Sequence, residues 1–284
     1  MEMRLERVSD SVYANMEGKT GGNVGVILLK YGAVAVDAQY PGSAKAFREA
    51  IEGLTDRGVT HLLLTHYHGD HVFGSQVFED CEIVGHRLLR ERMEHLLGED
   101  WAPGNLEKML ENLRQRSPER AWLYEGLRIV LPTKTFEERF ILGDGEITVE
   151  MIHTGGHTAG SSIVYIPEER VLFAGDLLFA KTFPWAGDES ADPDKWIEAF
   201  EMIMEMDVER IIPGHGPLSD KAEVEKHLSF FKAVREEMKR LIEEGATMEE
   251  AVKHDGYPPF YEAKTPERRE NSLRHWYRFW SRKK

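Results

Sequence analysis

The sequence predicts an α/β protein in which helices cover the faces of β-sheet. Short runs rich in β-branched and apolar residues recur in both halves of the chain, and segments with helical apolar spacing lie between them. No strong repeat with a period of about 20–50 residues is present, which argues against a solenoid or a propeller.

Residues 18–22 read as a loop before the first strand. Gly18-Lys19-Thr20 imitates the end of a phosphate-binding loop, but Tyr13 stands where that motif needs its first glycine. Val24 to Leu29 and Ala33 to Val36 flank Tyr31-Gly32 as a hairpin. Ser43 is expected to cap a helix running to about Arg57, and Val59 to Leu64 reads as a buried strand.

Between His86 and Tyr124 the pattern turns helical. Leu89, Met93, Leu96 and Leu97, then Leu106, Met109, Leu110 and Leu113, mark two amphipathic helices broken at Pro103-Gly104. They either form a lid or complete the core. Strands resume at Leu127 to Leu131, Glu146 to Ile152, Ser161 to Ile166 and Val171 to Phe173, with a turn at Pro167 to Arg170. A helix from Asp194 to about Met206 and a strand at Arg210 to Ile212 lead into a helical last third.

With 284 residues, 41% hydrophobic and 30% charged, the chain is long enough for an enzyme-sized core and too apolar to be disordered. We expect a single domain over 1–284, with a helical insert at 86–125 and a helical extension at 220–284. A net charge of −14 repels polyanions, so nucleic acid is not an expected partner. The longest apolar run is far short of the roughly 20 residues that cross a bilayer, and Met1 to Glu6 offer no signal-peptide core. No membrane partner is therefore expected, and the expected location is the cytoplasm. Five Asn and three Gln among many Glu, Lys and Arg match the composition of thermophilic proteins. Cys81 is the one cysteine, a small buried hydrophobe by expectation, so any metal must be held by His and carboxylates.

The strand Val59 to Leu64 runs into Thr65-His66-Tyr67-His68-Gly69-Asp70-His71, a His-x-His-x-Asp-His cluster. In extended backbone His66 and His68 face one way and can share one ion, while a turn at Gly69 lets Asp70 and His71 face a second. Three further candidates follow strand-like runs and sit among small residues: His157 in Gly155-Gly156-His157, Asp176 in Ala174-Gly175-Asp176, and His215 in Pro213-Gly214-His215-Gly216. No Gly-x-Ser-x-Gly or His-Glu-x-x-His motif competes with them.

From about Val24 to Gly216 these motifs resemble the metallo-β-lactamase superfamily, which includes glyoxalase II-type thioesterases, lactonases, phosphodiesterases and persulfide dioxygenases. The resemblance implies a four-layer αββα sandwich with the metal site at one edge between two sheets. It implies His66, His68 and His157 on a first metal, Asp70, His71 and His215 on a second, and Asp176 as a bridge. Asp37, ending Ala33-Val34-Ala35-Val36, matches the aspartate that the family places behind its ligands.

Two divalent ions about 3.5–4 Å apart can lower the pKa of a bridging water from about 15.7 towards about 7 and polarise the bond under attack. Zinc is the expected ion, with iron and manganese also compatible. The expected function is hydrolysis of a carboxylic ester, thioester, lactone or amide by the bridging hydroxide, with Asp70 orienting it and moving a proton. Two alternatives use much the same residues. One is a persulfide dioxygenase with a single iron on His66, His157 and Asp176; the other is a small phosphodiester hydrolase.

Tyr40, Tyr67, Phe73, Phe183 and Trp185 stand near the motifs, and Tyr67, Phe183 and Trp185 are the candidates to line a pocket for a small-molecule substrate rather than fill the core. Lys181 could meet an anionic substrate group, but a solvated lysine is the expectation. His86, His95, His153, His227, His254 and His275 have no patterned neighbours and read as surface or core residues, with His153 set apart by its place before the His157 loop. Glu262 to Lys284 holds eight basic and three acidic residues, with Leu273, Trp276, Tyr277 and Trp280 on one helical face. That pattern suits a docked terminal helix or half of a homo-oligomer contact.

Overall fold

The computed structural model describes residues 2–282, so Lys283 and Lys284 of the basic tail lie outside it. One sheet has seven strands in chain order: β1 (Glu6–Arg7), β2 (Val12–Asn15), β3 (Val24–Leu29), β4 (Gly32–Val36), β5 (Val59–Leu64), β6 (Glu82–His86) and β7 (Lys134–Phe136). Strands β1 to β4 are antiparallel and β4 to β7 parallel. The second sheet has five strands: β8 (Arg139–Gly143), β9 (Thr148–His153), β10 (Ser162–Ile166), β11 (Val171–Phe179) and β12 (Arg210–His215). It is antiparallel except for β11 and β12. Parallel neighbours need a crossover: α1 (Pro41–Glu52) links β4 to β5, and α5 (Pro193–Glu205) links β11 to β12.

Alternation along the strands explains why their sequences read as continuous apolar runs. Val34, Val36 and Leu63 face Val164, Phe173 and Ile212 between the sheets. Ala33, Ala35, Leu62 and Leu64 face outward onto Phe47 and Ile51 of α1 and onto Leu89 and Met93 of α3 (Arg87–Leu97). On the other side Ile163 and Leu172 pack on Trp196 and Phe200 of α5, Phe231 of α6 (Lys221–Glu243), and, beyond the short α7 (Met248–Val252), Leu273 and Trp276 of α8 (Pro266–Arg282). The order helix, sheet, sheet, helix is the predicted sandwich.

Three local expectations need correction. Ser43 is not the cap of α1: Tyr40 is, and the Ser43 hydroxyl sits within the first turn, 3.4 Å from the Tyr40 N–H. The helix also ends at Glu52, where Gly53 follows, rather than near Arg57. Leu127 to Leu131 is not a strand. The Arg128 N–H donates to Gln76 Oε1, the apolar residues of this segment pack beside the α1 layer, and Pro132 precedes the true edge strand β7. Of the two helices in the insert, α3 completes the core through Leu89, Met93 and Leu96, whereas α4 (Pro103–Arg116) has no fully buried residue. In the last helix Trp276 and Trp280 are buried, as a docked terminal helix requires.

His86 is a structural group. Its Nδ1 accepts the Leu88 N–H at 3.2 Å and so caps α3, its Nε2–H donates to the Glu137 carbonyl at 2.8 Å, and its ring stacks on His153 at 3.7 Å. Capping requires the neutral ring. Burial, with His153 alongside, pushes its pKa down to about 4, against about 6.5 in an unfolded chain. The unfolded state therefore takes up the proton first, and this stabilisation is complete above about pH 6.5 and lost as the pH falls through the folded value.

Two outcomes are expected in urea melts. His86→Gln, whose amide can still accept and donate, loses less stability between pH 7 and pH 5 than the parent; equal slopes would remove His86 from the acid response. Leu273→Ala costs about 2–5 kcal/mol, while Leu218→Ala, on the surface, stays within about 0.5 kcal/mol.

Candidate metal centre

The candidate ligands converge at one edge of the sandwich, where strands of both sheets end. Strand β5 delivers Thr65 and His66, and one helical turn, α2 (Gly69–Val72), reverses the chain so that Asp70 and His71 follow His68. His157 comes from the loop between β9 and β10, Asp176 from β11, and His215 from the end of β12. Asp176 sits where the β11–β12 register shifts, after Gly175 in the left-handed region at φ +51°. A Cβ on Gly214 would lie 2.0 Å from Asp176 Oδ1, and one on Gly22 would lie 2.3 Å from the His71 ring, so these glycines form the cradle.

All seven motif residues are brought together. His66, His68, His157 and Asp176 form one group, and Asp70, His71 and His215 form another, each with ligand atoms within 4.8 Å of one another. Asp176 reaches both: Oδ2 lies 3.7 Å from His66 Nε2, 3.5 Å from His157 Nε2 and 3.4 Å from His215 Nε2, and Oδ1 lies 3.2 Å from His71 Nε2. His68 Nδ1 and His157 Nε2 stand 2.9 Å apart. His66 Nε2, His71 Nε2 and Asp176 Oδ1 are buried without a hydrogen-bond partner, a costly state unless a cation answers them. The donor set, nitrogen and carboxylate oxygen, fits zinc, iron or manganese.

The electrostatics agree. Against burial, which pushes it up, His71 and His215 hold the Asp70 carboxyl well below the usual carboxylate range. Burial works against Asp176 in the same way, and His215, His71 and His66 hold it low. Burial would lower His215, but Asp176 and Asp70 raise it to about 9. Burial instead dominates at His157, pushed down to about 3. The second group thus collects positive charge, as a cation site does, and protons and metal compete for it.

Buried carboxylates stand behind the imidazoles. Asp37, itself left-handed at φ +56°, accepts the Thr65 N–H at 2.8 Å and the Thr65 hydroxyl at 2.8 Å, and pairs with His71 Nδ1 at 2.8 Å. That leaves His71 Nε2 aimed at Asp176. Asp188, which the sequence reading missed, pairs with His68 Nε2 at 3.0 Å, accepts the Tyr67 hydroxyl, and is itself held by Ser190. Its carboxylate turns His68 Nδ1 towards His157.

A cavity of about 380 Å³ opens beside His68 and Asp70. Tyr67 and Trp185 line it, and so do Tyr40 and Phe73. Phe183 does not. The chain turns at Lys181 (φ +61°), the Phe183 N–H donates to the Glu262 carbonyl, and the ring packs on Phe230 and Trp276 towards a separate cavity. Lys181 is not simply solvated either: it pairs with the buried Glu223. Trp101, Met109 and Tyr124, which sequence periodicity assigned only to the insert or its edge, complete the cavity wall.

Asp188→Asn is expected to weaken zinc binding by about 10–100-fold, measured by competition with a chromophoric chelator. Unchanged affinity would show that His68 is oriented without it.

A sequence profile described as the metallo-beta-lactamase superfamily matches residues 18–215. The linear primary-alkylsulfatase of Pseudomonas sp. (strain ATCC 19151) is 22% identical over 244 residues, covering 76% of this chain and 46% of that protein. A probable metallo-hydrolase of Bacillus subtilis (strain 168) is 24% identical over 266 residues, covering 85% and 82%. The solved stereoselective inverting sec-alkylsulfatase of Pseudomonas sp. superposes with a TM-score of 0.74 at 16% identity, over 97% of this chain and 50% of that one. The chain therefore spans about half the length of both alkylsulfatases. Because the profile spans most of the chain and every one of the converging candidate His and Asp ligands, this protein belongs to the metallo-beta-lactamase superfamily.

Proposed function

We propose that the chain is a metal-dependent hydrolase that holds two divalent ions, zinc by preference, and cleaves a carboxylic ester, thioester, lactone or amide bond of a small molecule in the cytoplasm. The observation that carries this reading is Asp176, whose two oxygens lie within 3.7 Å of imidazoles from both ligand groups. His66, His68 and His157 would hold one ion, Asp70, His71 and His215 the other, and Asp176 would bridge them. Ions bound there lower the pKa of a water and polarise the oxygen of the bond under attack.

The side chains do the rest. Asp70 is the one carboxylate among the ligands with appreciable exposure, 26%, and it lines the cavity. In this reading it orients the attacking water, accepts its proton and hands that proton to the leaving group. Asp37 and Asp188 fix the tautomers of His71 and His68, and Tyr67 and Trp185 exclude bulk water. A single-iron dioxygenase needs only His66, His157 and Asp176, which would leave His68 and the cluster of Asp70, His71 and His215 without a task.

The test is turnover of a matched panel of lactone, thioester, ester, phosphodiester and alkyl sulfate, the last included for the likeness to alkylsulfatases. Carbonyl substrates are expected to be hydrolysed and chelation to abolish turnover. Asp70→Asn should lower kcat by about 10²–10⁴-fold in metal-loaded protein. Preference for the phosphodiester or sulfate would overturn the assigned bond, and oxygen uptake by an iron form without hydrolysis would overturn the reaction class.

A further inference from the structure

The cavity at the metal centre has a distinct chemical character. Tyr40 and Tyr124 have ring centroids 4.5 Å apart, Phe73 meets Tyr40 at 6.3 Å and Trp101 at 5.2 Å, both edge-on, and Trp101 reaches Tyr67 at 6.4 Å. The rings form one continuous wall running up to Asp70 and His68, with Trp185 against the His68 ring at 5.0 Å. Tyr67, Phe73 and Trp101 are nearly buried, so the wall is fixed by the core behind it.

Charge in the cavity points the same way. Asp70 and Asp188 are committed to the candidate ligands. At the mouth Asp100 and Glu189 outnumber Arg92, the one Lys or Arg in the lining among the described residues. Arg92 lies over the Tyr67 ring at 5.9 Å; against burial, Tyr67 first and then the charges of Asp188 and Glu189 favour its charged form. Arg120, exposed, acts on Tyr40 from outside the lining. An anionic group away from the metals would meet Asp70, Asp100, Asp188 and Glu189 against Arg92 among the described lining residues, whereas an uncharged ring would meet edges and faces at the spacing aromatic groups prefer.

Resting on the hydrolase reading, we infer that this cavity selects substrates carrying an uncharged aromatic group next to the scissile bond, with Trp101 and Tyr124 as specificity-determining residues. A substrate with a carboxylate or phosphate at that position is disfavoured. The volume of about 380 Å³ suits one ring and a short linker, at the small end of small-molecule sites.

The test uses the zinc-loaded full chain and hydroxamates, which anchor on the metal whatever bond the enzyme cleaves. Phenylacetohydroxamate should bind about tenfold tighter than acetohydroxamate, and 4-carboxyphenylacetohydroxamate more weakly than its uncharged parent. Trp101→Leu should reduce the ratio of phenyl to methyl affinity at least threefold. Since Trp101 also packs into the core, a second variant guards against misfolding: Met109→Lys, on the exposed helix α4, should raise the affinity for the carboxylated probe about threefold relative to the phenyl one. Equal affinities, or tighter binding of the carboxylated probe to the parent protein, would overturn the inference alone. Failure of all three probes to bind in a zinc-dependent way would overturn the metal reading and the inference with it.

Discussion

A buried carboxylate that must be answered by positive charge governs the rest of this structure. The Asp176 side chain is 4% exposed and stands among His66, His71, His157 and His215. Removing a carboxylate from water costs several kcal/mol unless charge and hydrogen bonds replace the solvent. Four separate stretches of chain must therefore end within a few ångströms of one point. Gly175 and Gly214 are required there because a side chain at either position would collide with Thr65 or with Asp176 itself.

The sandwich supplies the rigidity that this convergence needs. Strands covered on both faces hold the ends of β5, β11 and β12 in register, and loops beyond those ends carry the functional groups. Asp37 ties the end of β4 to the end of β5 and to His71 in one network, and its left-handed backbone is held by those bonds. Asp188 does the same for His68 and joins it to Tyr67, so a wall of the cavity and a candidate ligand share one support.

What was legible in the sequence was local. His66, His68, Asp70 and His71 lie on one short segment, and Val24–Leu29, Val59–Leu64 and the α5 segment carry strong apolar patterns. Motif order gave His157, Asp176 and His215, and the resemblance gave Asp37. Asp188 carried no such signal: its partners His68 and Tyr67 are 120 and 121 positions away, and a lone aspartate in a loop has no periodicity to betray it. Leu127 to Leu131 misled because a short apolar run can pack on a core without joining a sheet, and Phe183 because closeness in sequence to Asp176 does not survive the turn at Lys181. The short edge strands β1 and β7, at two and three residues, are too brief to show a period.

The central claim is that the converging histidines and aspartates form two cation sites sharing one carboxylate. Elemental analysis of metal-free protein after equilibrium dialysis against zinc tests it most directly. The account predicts two zinc ions per chain, falling to one when His215 is replaced by alanine. A single ion per chain in the parent protein, or none, would contradict it.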